Sequence, residues 1–244
     1  MTTRSLRVPG LSSDERDILT RSPLVKDLSP ELQERLLQMG VARKLHKGEF
    51  LFMEGDPVRS IHCLLAGKLK EYYASESGES CLRCIQVPGS HISLHVAFTQ
   101  ARRHSYHCEA LSPSTCFSWD VETFKRMVKQ DSALAFHVAS ALSGNFEDFC
   151  RLTCICRKPQ ALPRVAEYLL HRCANCDGCP GRDDRPGLSA DLRPLGLAAT
   201  DICLARETFS RALAALQKKD VIRLRNGIVE IRDLDALKRI SAAG

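Results

Sequence analysis

Residues 204–222 read LARETFSRALAALQKKDVI. Phe209, Leu213 and Leu216 recur at i, i+4 and i+7, so they share one helix face and pack inward. Glu207, Ser210 and Arg211 fall at i, i+3 and i+4 on another face, with Arg206 beside them. That second face carries the side chains that read base edges in the DNA major groove. Arg can pair bidentately with guanine, Glu can accept from cytosine N4, and Ser can bond several groups. Any amphipathic surface helix could show this spacing, so the flanking sequence decides. Residues 195–202 form a second short apolar-periodic segment, and Cys203-Leu204 links it tightly to Arg206. Two short helices joined by such a turn make a helix-turn-helix, with Cys203 standing where Gly is usual. Downstream, 221–231 is two alternating runs around Asn226-Gly227, a strong hairpin signal. Helix, helix and hairpin make a winged helix-turn-helix, and Arg223, Arg225 and Arg232 on the wing can meet phosphates.

The N-terminal half reads differently. Residues 47–57 form a short strand closed by a turn, and 61–73 a strand pair around Gly67. After a polar turn at 75–78, residues 81–87 alternate again and Pro88-Gly89 closes them. Short strands at this spacing predict a small antiparallel barrel or sandwich. Between the two halves, 121–156 reads as one long helical segment. Ala135, Val138, Leu142, Asn145, Phe149, Leu152 and Cys156 follow alternating spacings of 3 and 4. That is a coiled-coil seam whose polar Asn145 can fix register in a homodimer. The bland alternative is a helix packed on its own barrel. Pro159 and Pro163 mark the break into the next domain.

At 244 residues the chain has room for two domains, and its net charge of +6 suits a partner that presents phosphates. Residues 206–239 hold nine Lys/Arg against five Asp/Glu, so much of the excess sits in the C-terminal region. The absence of a long apolar run or a charged-then-apolar start predicts a soluble, cytoplasmic chain with no membrane partner. The expected organisation is a polar, poorly ordered lead-in at 1–23, a barrel at 24–120 and a dimerisation helix at 121–157. A winged helix-turn-helix at 158–244 follows, carrying a Cys-rich insertion at 173–180.

The segment 206–211 with Leu213, Leu216 and the wing resembles the CRP/FNR family of bacterial transcription regulators. Its Glu-x-x-Ser-Arg pattern is similar to the FNR side of that family. The strand order and motifs of the N-terminal half resemble the family's jelly-roll effector domain, so the likeness spans about residues 24–240. The resemblance implies an α+β chain: an antiparallel jelly-roll of the cyclic-nucleotide-binding kind, a long dimerisation helix and a winged helix-turn-helix. It implies that Glu207, Ser210 and Arg211 read a TTGAT-like half-site, that a homodimer reads the inverted repeat, and that RNA polymerase is a partner.

The resemblance also says where a cyclic nucleotide would sit. Ser93 and Leu94 stand where the ribose-holding Gly-Glu pair belongs, and His104-Ser105 where the phosphate-holding Arg-Ser pair belongs. Without the Glu there is no ribose acceptor. A His replaces the bidentate Arg poorly, so cAMP binding by the family's mode is not expected.

Twelve Cys point instead to a metal or redox centre, since a cytosolic chain keeps thiols reduced. Cys173, Cys176 and Cys179, followed by Pro180, repeat the first part of a bacterial ferredoxin ligand run. A fourth thiolate for an iron–sulfur cluster could come from Cys150, Cys154 or Cys156, the first two at i, i+4. The usual FNR layout of N-terminal cysteines is absent, because residues 1–62 contain no Cys. Structural zinc, a thiol–disulfide switch and a plain loop remain open for the same cysteines. Cys63, Cys81, Cys84, Cys108 and Cys116 fall on barrel strands and read as small core residues. His91, His95, His104 and His107 surround the degenerate pocket, which keeps a haem-based gas sensor open as well.

No phosphate loop, Gly-x-Ser-x-Gly or His-Glu-x-x-His motif is present, so an enzyme is not expected. An iron–sulfur electron carrier or a pure protein-interaction module would have no use for a recognition helix and wing. The signal most consistent with the cysteines is oxygen, nitric oxide or redox state.

Overall fold

The computed structural model describes residues 11–74, 80–100, 102–174 and 188–243. They fall into two units that meet in sequence between 145 and 146.

The first unit opens with two helices. α1 (Ser13–Arg21) starts from a capping box in which Ser12 and Glu15 bond each other's backbone N–H. α2 (Pro30–Met39) starts from Ser29, with Pro30 in its first turn. Leu19, Leu24, Leu32 and Leu36 are buried in the core of this unit. The described part of the expected lead-in is therefore structure, not tail. Its Leu11, Ile18 and Leu19 pack into the core of that unit.

The barrel has two four-stranded antiparallel sheets. One runs in the order β1 (Gly40–Leu45), β8 (Ser114–Asp120), β3 (Ser60–Ala66), β6 (His91–Ile92). The other runs β2 (Phe50–Phe52), β7 (His107–Ala110), β4 (Leu69–Ala74), β5 (Ser80–Gln86). A one-turn helix, α3 (Leu94–Ala97), follows β6. The strand pair expected around Gly67 is not a hairpin, since β3 and β4 lie in different sheets. Gly67, at φ +85°, turns the chain from one sheet to the other. The two sheets enclose Leu64, Leu69, Cys108 and Cys116, while Phe117, Trp119 and Phe124 pack toward α1 and α2. The Trp119 indole N–H donates to the Leu36 carbonyl at 2.9 Å, which ties α2 to β8.

The segment expected as one long helix is two. α4 (Val121–Gln130) is capped by Asp120, and α5 (Ser132–Cys156) begins anew beyond Asp131. Asp131 has extended backbone at φ −130°, ψ 110°, and its carboxylate accepts from the Leu134 N–H at 3.0 Å. A carboxylate cap on α5 thus competes with helix continuation and wins.

The second unit packs the end of α5, α6 (Ala161–Ala174), α7 (Leu195–Asp201), α8 (Arg206–Lys218) and α9 (Leu234–Ala242) around one core that includes Ile155, Leu169, Phe209, Leu213 and Leu216. The hairpin of β10 (Ile222–Arg225) and β11 (Ile228–Ile231) is joined by β9 (Ser189–Asp191) into a three-stranded sheet. Asn226 and Gly227 take φ +50° and +79°, the backbone that a two-residue I′-type hairpin turn needs. Among the described residues no helix is long and apolar enough to cross a membrane.

Candidate nucleic-acid interface

α8 presents the face that its sequence promises. Phe209, Ala212, Leu213 and Leu216 are buried, and Arg206, Glu207, Ser210 and Arg211 are exposed. Phe209 stands edge-on to Tyr168, whose hydroxyl donates to the Asp201 carboxylate at 2.9 Å. That bond joins α6 to the end of α7 and backs α8 from behind. Arg211 donates to the Thr208 hydroxyl at 3.3 Å, so its guanidinium is steadied along the outer face. Cys203 adopts φ +54°, the left-handed conformation usually given to Gly in this turn. Arg223 and Arg225 alternate outward on β10 while Ile222 points in, and Arg232 is exposed just after β11. Every residue expected to touch DNA is solvent-facing and lies on the helix or the wing.

The seam expected on α5 is not a single exposed stripe. Val138, Ala141 and Leu142 pack on the barrel core, Leu152 and Cys156 pack on the second core, and Ala135 is half-buried. Asn145 and Phe149 are exposed, as are Phe136 and Phe146. An exposed ladder also runs displaced by one residue, through Phe136, Ala139, Ser143 and Phe146, with Phe149 of the expected seam exposed beside it and Cys150 and Thr153 half-buried at its end. Burial of Val138 in its own barrel decides the shift, because one side chain cannot serve both faces.

The barrel interior holds the four residues of the expected nucleotide pocket in different settings and supplies something the sequence reading did not name. Ser93 is buried at φ +66°, Leu94 is a core residue, His104 is buried, and Ser105 faces solvent. The His104 ring stacks on Phe52 at 3.6 Å between centroids. Beside it, the fully buried Glu71 carboxylate accepts from Arg83 and from the Cys84 thiol, the latter at 3.2 Å. The Arg83 guanidinium lies 4.6 Å from the Tyr106 ring centroid and 3.3 Å from His95 Nε2. Burial, then Arg83, then His104 lower the His95 pKa to about 4. Burial and the Glu71 charge raise that of Tyr106. Among the described residues, five buried polar atoms lack a protein partner: Glu71 Oε1, His91 Nε2, Ser93 Oγ, His104 Nδ1 and Tyr106 Oη. The signal was available in β4, where Glu71 shares the inward side with Leu69, a charge at a core position.

Of the barrel cysteines, Cys63, Cys108 and Cys116 are buried as expected. Cys81 is exposed, and Cys84 is bound to Glu71 instead of packing as a small apolar residue. A bulge between Glu71 and Tyr72 sets Cys84 opposite Glu71 and leaves Arg83 as the extra residue. His95 and His104 both face the Tyr106 ring, at 6.1 and 6.2 Å between centroids. His95 meets Arg83, His104 meets Phe52, and His107 lies 3.8 Å from Glu54.

Cys176, Cys179 and the rest of the 175–187 stretch lie outside the described residues. Cys173 is buried in the second core. Cys150 is half-buried and Cys154 exposed on α5. Cys156 is engaged elsewhere, its thiol 3.7 Å from the Asp201 carbonyl. Among the described residues no three His, Cys, Asp or Glu side chains are grouped to hold a metal ion.

A nucleotide-type jelly-roll followed by a winged helix-turn-helix with an outward-facing Arg-Glu-Ser-Arg patch defines a class of DNA-binding regulator. The family models agree with that division: "cyclic nucleotide-binding domain" matches residues 42–131 and "Crp-like helix-turn-helix domain" matches 163–240. Together they span more than half of the chain, and the chain belongs to the CRP/FNR family of transcription regulators. It is 26% identical over 232 residues to the transcriptional activator protein Anr of Pseudomonas protegens, covering 91% of this chain and 90% of that protein. It is 23% identical over 206 residues to the fumarate and nitrate reduction regulatory protein of Escherichia coli, covering 82% and 78%. FixK2 from Bradyrhizobium japonicum has the same fold, with a TM-score of 0.71 at 17% identity, covering 84% of this chain and 98% of that one.

Proposed function

We propose that this chain is a homodimeric, sequence-specific DNA-binding regulator that reads a TTGAT-like inverted repeat and answers to oxygen, nitric oxide or redox state. The observation that carries it is the exposure of Arg206, Glu207, Ser210 and Arg211 on one face of a helix whose other face is core. Glu207 and Arg211 supply opposite hydrogen-bonding characters to neighbouring base pairs, and Arg223 and Arg225 hold the module to the backbone. The displaced ladder on α5, with Phe136 71% and Phe146 67% exposed, supports pairing through that helix. The test is a gel-shift titration of an inverted-repeat duplex against a scrambled duplex of equal length, at two salt concentrations. Specific, salt-sensitive retention of the repeat is expected. Equal affinity for both duplexes overturns the reading.

For the signal, the spacing of Cys173, Cys176 and Cys179 supports an iron–sulfur centre, with Cys150 as the fourth thiolate. His171, two residues before Cys173, feels the charges of Asp148 and Arg151, which flank Cys150. When bound, the cluster would supply a redox-labile link whose loss frees the run from α5. Protein purified without oxygen and assayed for iron, sulfide and zinc tests this. Matched iron and sulfide, lost in Cys176→Ser, are expected. Zinc alone makes the run structural, a Soret-type band moves the sensor to haem, and metal-free protein ends the cluster reading.

A further inference from the structure

The end of α5 and the turn between α7 and α8 bring two thiols together that the DNA-binding and cluster readings leave unused. Cys156, the last residue of α5, faces Cys203, in the turn, whose side chain is close enough to act on its thiol. Cys156 also donates to the Asp201 carbonyl at 3.7 Å, so its sulfur is held against the turn. Cys203 is exposed and Cys156 half-buried. Both belong to the second unit. Arg164 donates to the Ile202 and Cys203 carbonyls at 3.4 Å and to the Lys158 carbonyl at 2.8 Å, bracing both ends of the pair.

We infer that Cys156 and Cys203 form a peroxide-oxidisable dithiol whose disulfide fastens the turn ahead of the recognition helix to α5. Geometry gives the two sulfurs different tasks. The exposed Cys203 meets the oxidant. Cys156, half-buried with its thiol on the Asp201 carbonyl, is shielded from the oxidant and is the resolving partner. The Cys203 thiolate attacks the O–O bond of a hydroperoxide, forming a sulfenic acid and releasing an alcohol or water. The Cys156 sulfur then attacks the Cys203 sulfur. The S–S bond forms, and the hydroxyl leaves as water with the proton from Cys156. Two thiols and one ROOH become one disulfide, one ROH and one water.

The turn cannot absorb this without consequence. Cys203 sits at φ +54° with its N–H on the Thr200 carbonyl, and Leu204 bonds back to Ala199. A disulfide requires its own Cα separation and torsion, so the turn three residues before Arg206 must adjust. The base-reading face is thereby turned away from its productive pose.

The test uses the full reduced chain, one equivalent of hydrogen peroxide, and proteolysis without reductant followed by mass spectrometry. A linked peptide joining Cys156 to Cys203, two hydrogens lighter and released by dithiothreitol, is expected. It should be absent from Cys203→Ser, an exposed position that tolerates the change. Over-oxidised Cys203 with no link, or a link from Cys203 to another cysteine, overturns the assignment. In gel shifts with the inverted-repeat duplex, the linked chain should lose affinity by about tenfold or more and recover on reduction. Cys203→Ser should keep its affinity through peroxide. Unchanged affinity of the linked chain, or equal loss in Cys203→Ser, overturns the switch. Reduced chain that reads no DNA counts against the regulator proposal instead, because the peptide map decides the disulfide by itself.

Discussion

At the scale of single residues, Arg211 is the most exposed test of the DNA-reading proposal. Among the described residues its side chain bonds only the Thr208 hydroxyl on its own helix, so truncation leaves the fold untouched. Arg211→Ala should cost about 1–3 kcal/mol of DNA binding and relax base choice at one position of the half-site. Equal weakening across all sequences in a competition assay would reduce Arg211 to a phosphate contact. Gly67 makes the opposite kind of prediction. A Cβ there would lie 2.5 Å from the Pro113 carbonyl, on a backbone at φ +85°. Gly67→Ala should destabilise the barrel by about 1–3 kcal/mol, read from the denaturation midpoint. Residues with local signals were legible from sequence. Cys203 stood in a glycine's place and took a glycine's φ, and Asn226-Gly227 took the hairpin turn. Glu71 and Arg83 were not legible as a pair, because a bulge in β5 brings them together and bulges leave no mark in an alternating pattern.

At the scale of elements, α5 is where sequence periodicity and structure part. A 3–4 repeat identifies a helix but not which of two adjacent stripes faces what. The choice depends on the barrel, which claims Val138 and Ala141. Asp131 was equally opaque, since Asp is tolerated within helices and acts as a cap only when its neighbour's N–H is free to be capped. By contrast, α7, α8 and the wing were legible almost to the residue, because helix, turn and hairpin signals follow one another at short range. The displaced ladder predicts the oligomer. Phe146→Asp should turn the dimer toward monomer in sedimentation, since each copy loses about 1.5–3 kcal/mol of apolar burial and gains a charge at the seam. Val138→Ala should instead lower barrel stability, by about 0.5–1.5 kcal/mol or somewhat more, with the dimer intact. If Phe146→Asp sediments as wild type, the ladder is not the interface.

At the scale of the whole molecule, buried histidines set the acid limit of the barrel. Burial lowers His62 to about 3, and His91 and His104 to about 4. His95 falls to about 4 as well, with Arg83 and His104 adding to its burial. Each is neutral in the folded barrel and binds a proton near pH 6.5 once unfolded, so stability is full above that pH. It falls as pH drops from about 6.5 toward 4, because the unfolded chain takes up protons that the fold refuses. Tm should therefore decline steadily through that window, and His62→Gln should shallow the slope while keeping the Ser118 contact that His62 Nδ1 makes at 2.7 Å. A Tm flat between pH 6.5 and 4.5 would show that these rings open to water. One further consequence lies in how the chain can be cut. The prolines at 159 and 163 invite a fragment that starts after α5. Ile155, fully buried with Val165 and Leu169, and its neighbour Leu152 belong to the core of the second unit. A DNA-binding fragment trimmed to the prolines would leave a hole where Ile155 had been. One that begins near Phe146 would carry its own keystone.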